Sequence, residues 1–323
     1  MKKTIVITMA LLLILLILVA ALLGRQPVTV PEETTPVETT TEATTVETEP
    51  HITWKTYPAT RELTAKQYFV YDASASTYTI ISGSANERIY PASVTKLFTA
   101  YVALQYLDPD LVITAGDALT LVAPGSSVAE IAAGDQLTVD QLIEAMILPS
   151  GNDAAYILAA EAGRIIENNP SLHVSLAVQS FVDRMNEIAK EQGMNDTHFV
   201  NPDGIHKPDH YTTFDDLVIL AELAMQESAI TRHTRRSADI VRFGNGTQKQ
   251  WVSTNALIDP ESEYYCPYTI GLKTGQTPSA GSCLLSAFQY QDALYIIGVF
   301  GCPEIEDRFD DTLQLFNESA GIE

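Results

Sequence analysis

The sequence predicts an α+β fold in which one antiparallel sheet, built from both ends of the chain, is flanked by helices and set beside a mainly helical lobe. Two observations carry this reading. Runs rich in β-branched and aromatic residues, bounded by turn formers, occur early in the folded part and again at its end. Between them, apolar residues recur at the three-to-four spacing of buried helices. A cleft is expected where sheet and lobe meet.

Taken in order, Tyr68-Phe69-Val70-Tyr71 and Tyr78-Thr79-Ile80-Ile81 flank the turn-rich Asp72 to Ser76 and read as a hairpin. Pro91-Ala92-Ser93-Val94-Thr95-Lys96 then opens an apolar run through Leu97, Phe98, Ala100, Tyr101, Val102, Leu104 and Leu107, a buried helix. Thr138-Val139-Asp140-Gln141 is a capping box for a helix to Leu148, with Ser150-Gly151-Asn152 in the turn after it. Further helices are predicted from Asp153 to about Ile166 and from Ser175 to Gln192, the latter closed by Gly193. Thr213 opens another through Leu217, Leu220, Leu223 and Met225. Tyr268 to Thr277, Ser282 to Tyr290 and Ala293 to Gly301 form a strand meander, and a helix near Asp310 to Asn317 closes the domain.

The chain has 323 residues, 46% of them hydrophobic, enough for one large core. Its formal net charge of −22 disfavours nucleic acid as a partner. Lys2 and Lys3 precede an uncharged, apolar stretch from Thr4 to Gly24, closed by Arg25. Its length suits an uncleaved signal anchor, with a cleaved signal peptide as the alternative, and the lysines place the rest of the chain outside the cytoplasm. From Pro27 to Pro50 the composition is dominated by Thr, Glu, Pro and Val, which cannot bury enough apolar surface to order itself. Residues 1–25 are thus expected to anchor or target, 26–52 to tether, and 53–323 to form one folded domain. Cys266, Cys283 and Cys302 are too few for a disulfide framework, and one pair or three free thiols both remain open.

Three patterns point to chemistry. A hydroxyl at Ser93 and an amine at Lys96, three residues on, share one helix face, and a desolvated lysine can take the serine proton. Backbone N–H groups at the helix start suit a developing oxyanion. Ser150-Gly151-Asn152 and Lys273-Thr274-Gly275 follow in order. The ordered triple Ser-x-x-Lys, Ser-x-Asn, Lys-Thr-Gly belongs to penicillin-binding proteins and class A β-lactamases.

At these residues the chain resembles the serine-type D-alanyl-D-alanine carboxypeptidases, the low-molecular-mass penicillin-binding proteins, over roughly Thr53 to Asn317. Gly125-Ser126-Ser127-Val128 with Gly134 to Val139, and Asn201-Pro202-Asp203-Gly204-Ile205 with His210-Tyr211-Thr212-Thr213, are similar to further stretches of that family. The resemblance implies a β-lactamase/DD-peptidase-like fold and no cofactor or metal. It implies that Ser93 attacks the bond between the two terminal D-alanines of a peptidoglycan stem peptide, with Lys96 as base. Ser150 would relay a proton to the leaving amine with help from Lys273, and Asn152 would hydrogen-bond the substrate amide. Lys273 and Thr274 would hold the terminal carboxylate within the substrate-binding strand Lys273-Thr274-Gly275-Gln276, and the N–H groups of Ser93 and Gln276 would form the oxyanion hole. β-Lactam antibiotics are the implied inhibitors. The chain ends at Glu323, directly after the last predicted helix and without the C-terminal β-domain and amphipathic anchor of many family members. Membrane attachment is therefore expected through the N-terminal segment.

A neutral Lys96 near pH 7 requires a pKa drop of roughly 3 units, about 4 kcal/mol, from burial and the like charge of Lys273. Rival readings fare less well. A class A β-lactamase would need a Glu to activate the deacylating water, and Glu161, Glu167 and Glu187 lie in helix-like surroundings as solvated faces. A D,D-endopeptidase would use the same residues. A non-catalytic wall-sensing module would be expected to have lost a catalytic residue, and all are present. The histidines form no metal-binding helix motif, and His210 reads as a structural loop residue.

Overall fold

The computed structural model describes residues 61–322. The predicted anchor and tether lie outside the described residues, and among the described ones no helix is long and apolar enough to cross a membrane.

The hairpin β1 (Gln67–Asp72) and β2 (Thr77–Ile81) leads through a 3-10 turn at Ala92–Val94 into α1 (Thr95–Ala103). The lobe contains β3 (Val112–Thr114), β4 (Gln136–Thr138), α2 (Val139–Ile147), α3 (Asn152–Ile166), α4 (Val174–Glu191), α5 (Phe214–Gln226), α6 (Ser228–Thr234), β5 (Ala238–Arg242) and β6 (Gln248–Val252). The chain returns as β7 (Thr269–Thr277), β8 (Gly281–Tyr290), β9 (Ala293–Cys302) and α7 (Asp307–Ala320).

The main sheet has the order β2-β1-β9-β8-β7, antiparallel throughout. The first and last strands of the described residues therefore meet at its centre, where Val70 pairs with Ile297. Side chains alternate between two cores. Phe69, Cys283, Leu285, Ala287, Ile296 and Phe300 face the helical lobe, whereas Val70, Leu284, Phe288, Ile297 and Val299 pack with Leu313 and Phe316 of α7. Strands covered on both faces need apolar residues at most positions, which is why β8 and β9 read as continuous apolar runs.

Local signals set the helix ends. Thr138 Oγ1 accepts from Gln141 N at 3.1 Å while the Gln141 side chain accepts from Thr138 N at 3.0 Å, completing the expected capping box. Thr213 caps α5 by accepting from Asp216 N, and Gly193, at φ +90°, sits just beyond α4. Three details differ from expectation. Ser93 lies in the 3-10 turn rather than in the first α-helical turn, Asn152 is the first residue of α3 rather than part of the preceding turn, and α7 is longer than predicted. The pairs β3–β4 and β5–β6 and the short α6 were not anticipated. In β5 and β6 only Val241 and Trp251 are buried, while Ile240 and Val252 are exposed, so the apolar positions mark no single face to read.

Cys266, Cys283 and Cys302 are free and buried. Cys283 and Cys302 lie on neighbouring strands near the end where Ser282 pairs with Cys302. Burial raises their thiols to about 11 and about 12, so both are protonated at neutral pH.

One buried carboxylate ties the two ends of the described chain together. Asp311 of α7, fully buried, accepts from Arg61 Nη1 at 2.7 Å, Thr64 N at 2.9 Å, Thr64 Oγ1 at 2.9 Å and Ala65 N at 2.7 Å. Asp311→Ala leaves these donors without their acceptor and is expected to cost about 3 kcal/mol or more of stability. Urea unfolding measures this, and a loss under about 1 kcal/mol would show that the cluster does not hold the chain ends.

Candidate active site

A cleft of about 810 Å³ opens between the lobe and the β7 edge of the sheet, and Ser93, Ser150, Asn152, Thr274, Gly275 and Gln276 all line it. Lys96 and Lys273 lie buried beside it. The structure thus brings together every site residue expected from the sequence.

Ser93 is held by a strained turn. Ala92 has φ +47°, a left-handed conformation unusual for a residue with a Cβ, and the following 3-10 geometry eclipses residues three apart. Lys96 Nζ is consequently 2.7 Å from Ser93 Oγ. Two glycines allow the neighbouring backbone to press on this turn. A Cβ on Gly204, whose φ is +84°, would lie 1.9 Å from Ala92 O, and one on Gly275 would lie 2.9 Å from Ala92 Cβ and 3.1 Å from Ser93 N.

The segment Asn201 to Ile205 forms the far wall. Asn201 Oδ1 accepts from Gly204 N at 2.8 Å and its Nδ2 donates to Ile205 O at 2.7 Å, which fixes the loop. Thr99 Oγ1 donates to Pro202 O at 2.7 Å and anchors the loop to α1. Asp203 O then accepts from Lys96 Nζ at 2.7 Å. His210 belongs to this scaffold. Val200 N donates to its Nδ1 at 3.2 Å and its Nε2 lies 2.9 Å from Thr95 Oγ1, and burial lowers its pKa to about 3.

Electrostatics divide the two lysines. Burial lowers the Lys96 pKa to about 8, and the Asp203 and Asp153 carboxylates oppose that fall. Lys273 is pushed well below the ordinary lysine value by burial, then by the charges of Lys96 and Arg308, with no carboxylate countering them. The like-charge effect expected at Lys96 therefore falls on Lys273. Among the described residues Lys273 Nζ finds only Thr274 O at 3.2 Å and Thr274 Oγ1 at 3.4 Å.

Ser150 enters the cleft from a left-handed conformation at φ +61°. Asn152 begins α3 and lines the cleft, and its buried Oδ1 is an acceptor that no described group satisfies. Asp153, next in line, accepts from Ala129 N at 2.9 Å and Ile131 N at 3.0 Å, so the Ser150 turn and the facing loop move as one piece.

Sequence reasoning missed two residues of the cleft. Arg308, at the start of α7, is buried and donates to Gly275 O at 3.4 Å, leaving its Nε unpartnered among the described residues. Its first cause of perturbation is burial, which lowers its pKa to about 10. Thr254 lies 2.6 Å, Oγ1 to Oγ1, from Thr274. Neither stands in a motif, and only tertiary folding brings them to β7. Glu161, Glu167 and Glu187 do not line the cleft. Among the described residues no group of three or more His, Cys, Asp or Glu is placed to hold a metal ion.

Comparison with known proteins agrees with this geometry. The family described as D-alanyl-D-alanine carboxypeptidase matches residues 53–303. The D-alanyl-D-alanine carboxypeptidase DacF of Bacillus subtilis is 32% identical over 232 residues, covering 70% of this chain and 54% of that protein. The chain thus spans about half the length of DacF. The D-alanyl-D-alanine carboxypeptidase of Streptomyces sp. K15 is 32% identical over 248 residues, covering 74% of this chain and 81% of that one. Among solved structures, the Streptomyces K15 DD-transpeptidase superposes with a TM-score of 0.71 at 30% identity, over 80% of this chain and 97% of that one. Penicillin-binding protein D2 of Listeria monocytogenes, in its cefotaxime-bound form, gives 0.65 at 25% identity, over 80% and 97%. With matching sequence, matching fold and the three motifs converging on one cleft, this chain belongs to the D-alanyl-D-alanine carboxypeptidase family.

Proposed function

We propose that this chain is a serine D-Ala-D-Ala carboxypeptidase that removes the terminal D-alanine from peptidoglycan stem pentapeptides and is inhibited by β-lactams. The observation that carries the reading is the 2.7 Å contact between Ser93 Oγ and the fully buried Lys96 Nζ at the edge of the cleft. Neutral Lys96 takes the Ser93 proton as Oγ bonds to the carbonyl carbon of the scissile amide. The N–H groups of Ser93 and Gln276 stabilise the oxyanion. Collapse breaks the C–N bond, and Ser150, aided by Lys273, passes a proton to the departing D-alanine amine. Water then hydrolyses the ester and restores the Ser93 hydroxyl. A β-lactam amide acylates Ser93 by the same steps.

The cationic side of the cleft supports recognition of a free C-terminal carboxylate. Among the described residues Lys273 has no counter-ion and Arg308 Nε has no partner, and Thr274 offers a hydroxyl. A bound carboxylate supplies the missing negative charge, and charge-assisted hydrogen bonds are the stronger kind. Asn152 accepts from a backbone N–H on the acyl side, with the substrate extended along β7. In the cell, the N-terminal segment holds this domain outside the membrane within reach of the wall.

Three outcomes are expected. Incubation of the whole chain with a fluorescent penicillin should give a covalent adduct by intact mass that is absent in Ser93→Ala, accompanied in the wild type by D-alanine release from a pentapeptide. No adduct on folded wild type would leave the non-catalytic reading in front, and rapid turnover of the drug would favour a β-lactamase. With Lys96 titrating near 8, the acylation rate should fall about tenfold per pH unit below that value and level off above it, since only the neutral amine accepts the proton. A profile with no such limb below pH 9 would remove Lys96 as the neutral base. Arg308→Gln should lower kcat/KM for D-Ala-D-Ala peptides by roughly 10- to 100-fold, while leaving hydrolysis of a neutral thioester lacking the carboxylate within about twofold.

A further inference from the structure

The catalytic cleft continues beyond Gln276 into a second cavity of about 490 Å³. Pro278, Gly281 and Pro303 line both, so the two cavities adjoin around the β7–β8 turn. Lys66, Arg88 and Tyr90 form further walls of the second cavity, which no Asp or Glu among the described residues lines. In a chain with 41 acidic and 19 basic residues, a cavity with two cations and no carboxylate is a local reversal of the overall charge.

Neither cation is neutralised by an ion pair with a described residue. The Arg88 guanidinium lies 3.9 Å from the centre of the Tyr211 ring, a contact that positions the charge without cancelling it. Tyr90 is 38% exposed, and its ring meets that of His206 edge-on at 4.5 Å. His206 lines the catalytic cleft, so this aromatic pair forms a wall common to both cavities.

We propose that the second cavity is a substrate subsite that takes a carboxylate on the acyl side of the scissile bond, bound by Lys66 and Arg88 and flanked by Tyr90. The inference rests on the peptidase reading, because the substrate must lie extended along β7. A strand advances about 3.3 Å per residue, so two residues beyond Gln276 carry a paired peptide about 7 Å, to the level of Pro278. A carboxylate on the third residue back from the scissile bond meets the cavity there.

The test is equilibrium binding, by calorimetry on the whole chain carrying Ser93→Ala, of two peptides ending in D-Ala-D-Ala. They differ only in the third residue back from the scissile bond, which bears a carboxylate in one and a carboxamide in the other. The carboxylate peptide should bind roughly tenfold more tightly, with the advantage shrinking as salt rises. Lys66→Gln and Arg88→Gln should each reduce the advantage, and Lys66→Glu should reverse it, while the carboxamide peptide binds all variants alike. Lys66 is exposed and its variants do not depend on the Tyr211 contact. Equal affinity for the two peptides, no binding of either, or a tenfold advantage that survives Lys66→Glu would each overturn the proposal. Failure of the peptidase reading appears separately, as no D-alanine release by the wild type.

Discussion

The site depends on one buried amine beside one hydroxyl. An ammonium group enclosed by protein loses hydration, and the protein recovers part of that loss only where carbonyls and carboxylates surround it. Lys96 has the Asp203 carbonyl at 2.7 Å and two buried carboxylates within Coulombic range, which leaves it near 8 rather than lower. Roughly a tenth of the molecules therefore carry a neutral base at pH 7 without further input. The turn strained at Ala92, the glycines at 204 and 275 and the braced Asn201 loop all keep Ser93 in register with that amine.

The same low dielectric explains why Lys273 and Lys96 are not equivalent. One sits among carboxylates and is suited to exchanging a proton with Ser93. The other shares its surroundings with Lys96 and Arg308 and gains most from an incoming anion. In this acidic protein three buried cations, Lys96, Lys273 and Arg308, gather at a single cleft, and the adjoining cavity at the β7–β8 turn adds Lys66 and Arg88.

Much of the scaffold was legible because its elements declare themselves locally. The central strands β8 and β9 are buried on both faces and read as continuous apolar runs, and Thr138, Gly193 and Thr213 mark helix ends through hydrogen bonds made within a few residues. The hairpin β5–β6 was not legible. Only Val241 and Trp251 of its strands are buried, and its ties to the lobe, such as Trp251 Nε1 to Ala129 O at 3.0 Å and Gln141 Nε2 to Arg242 O at 2.9 Å, join residues about 100 or more positions apart. Arg308 was hidden for another reason: its neighbours in sequence are those of an ordinary amphipathic helix, and its partner Gly275 is 33 residues away.

The sequence by itself determined the α+β class, the order of most elements and the three short motifs around Ser93, Ser150 and Lys273, because residue type, spacing and turn chemistry act over a few positions. Tertiary structure decided what those residues can do. Whether Lys96 sheds its proton near neutral pH depends on complete burial and on Asp203 and Asp153, which arrive from two other segments of the chain. Whether the cleft continues past Gln276 toward Lys66 and Arg88 depends on the first strand of the chain lying next to the last. Such long-range meetings have no signature in local spacing, since they form only when both faces of the sheet are covered.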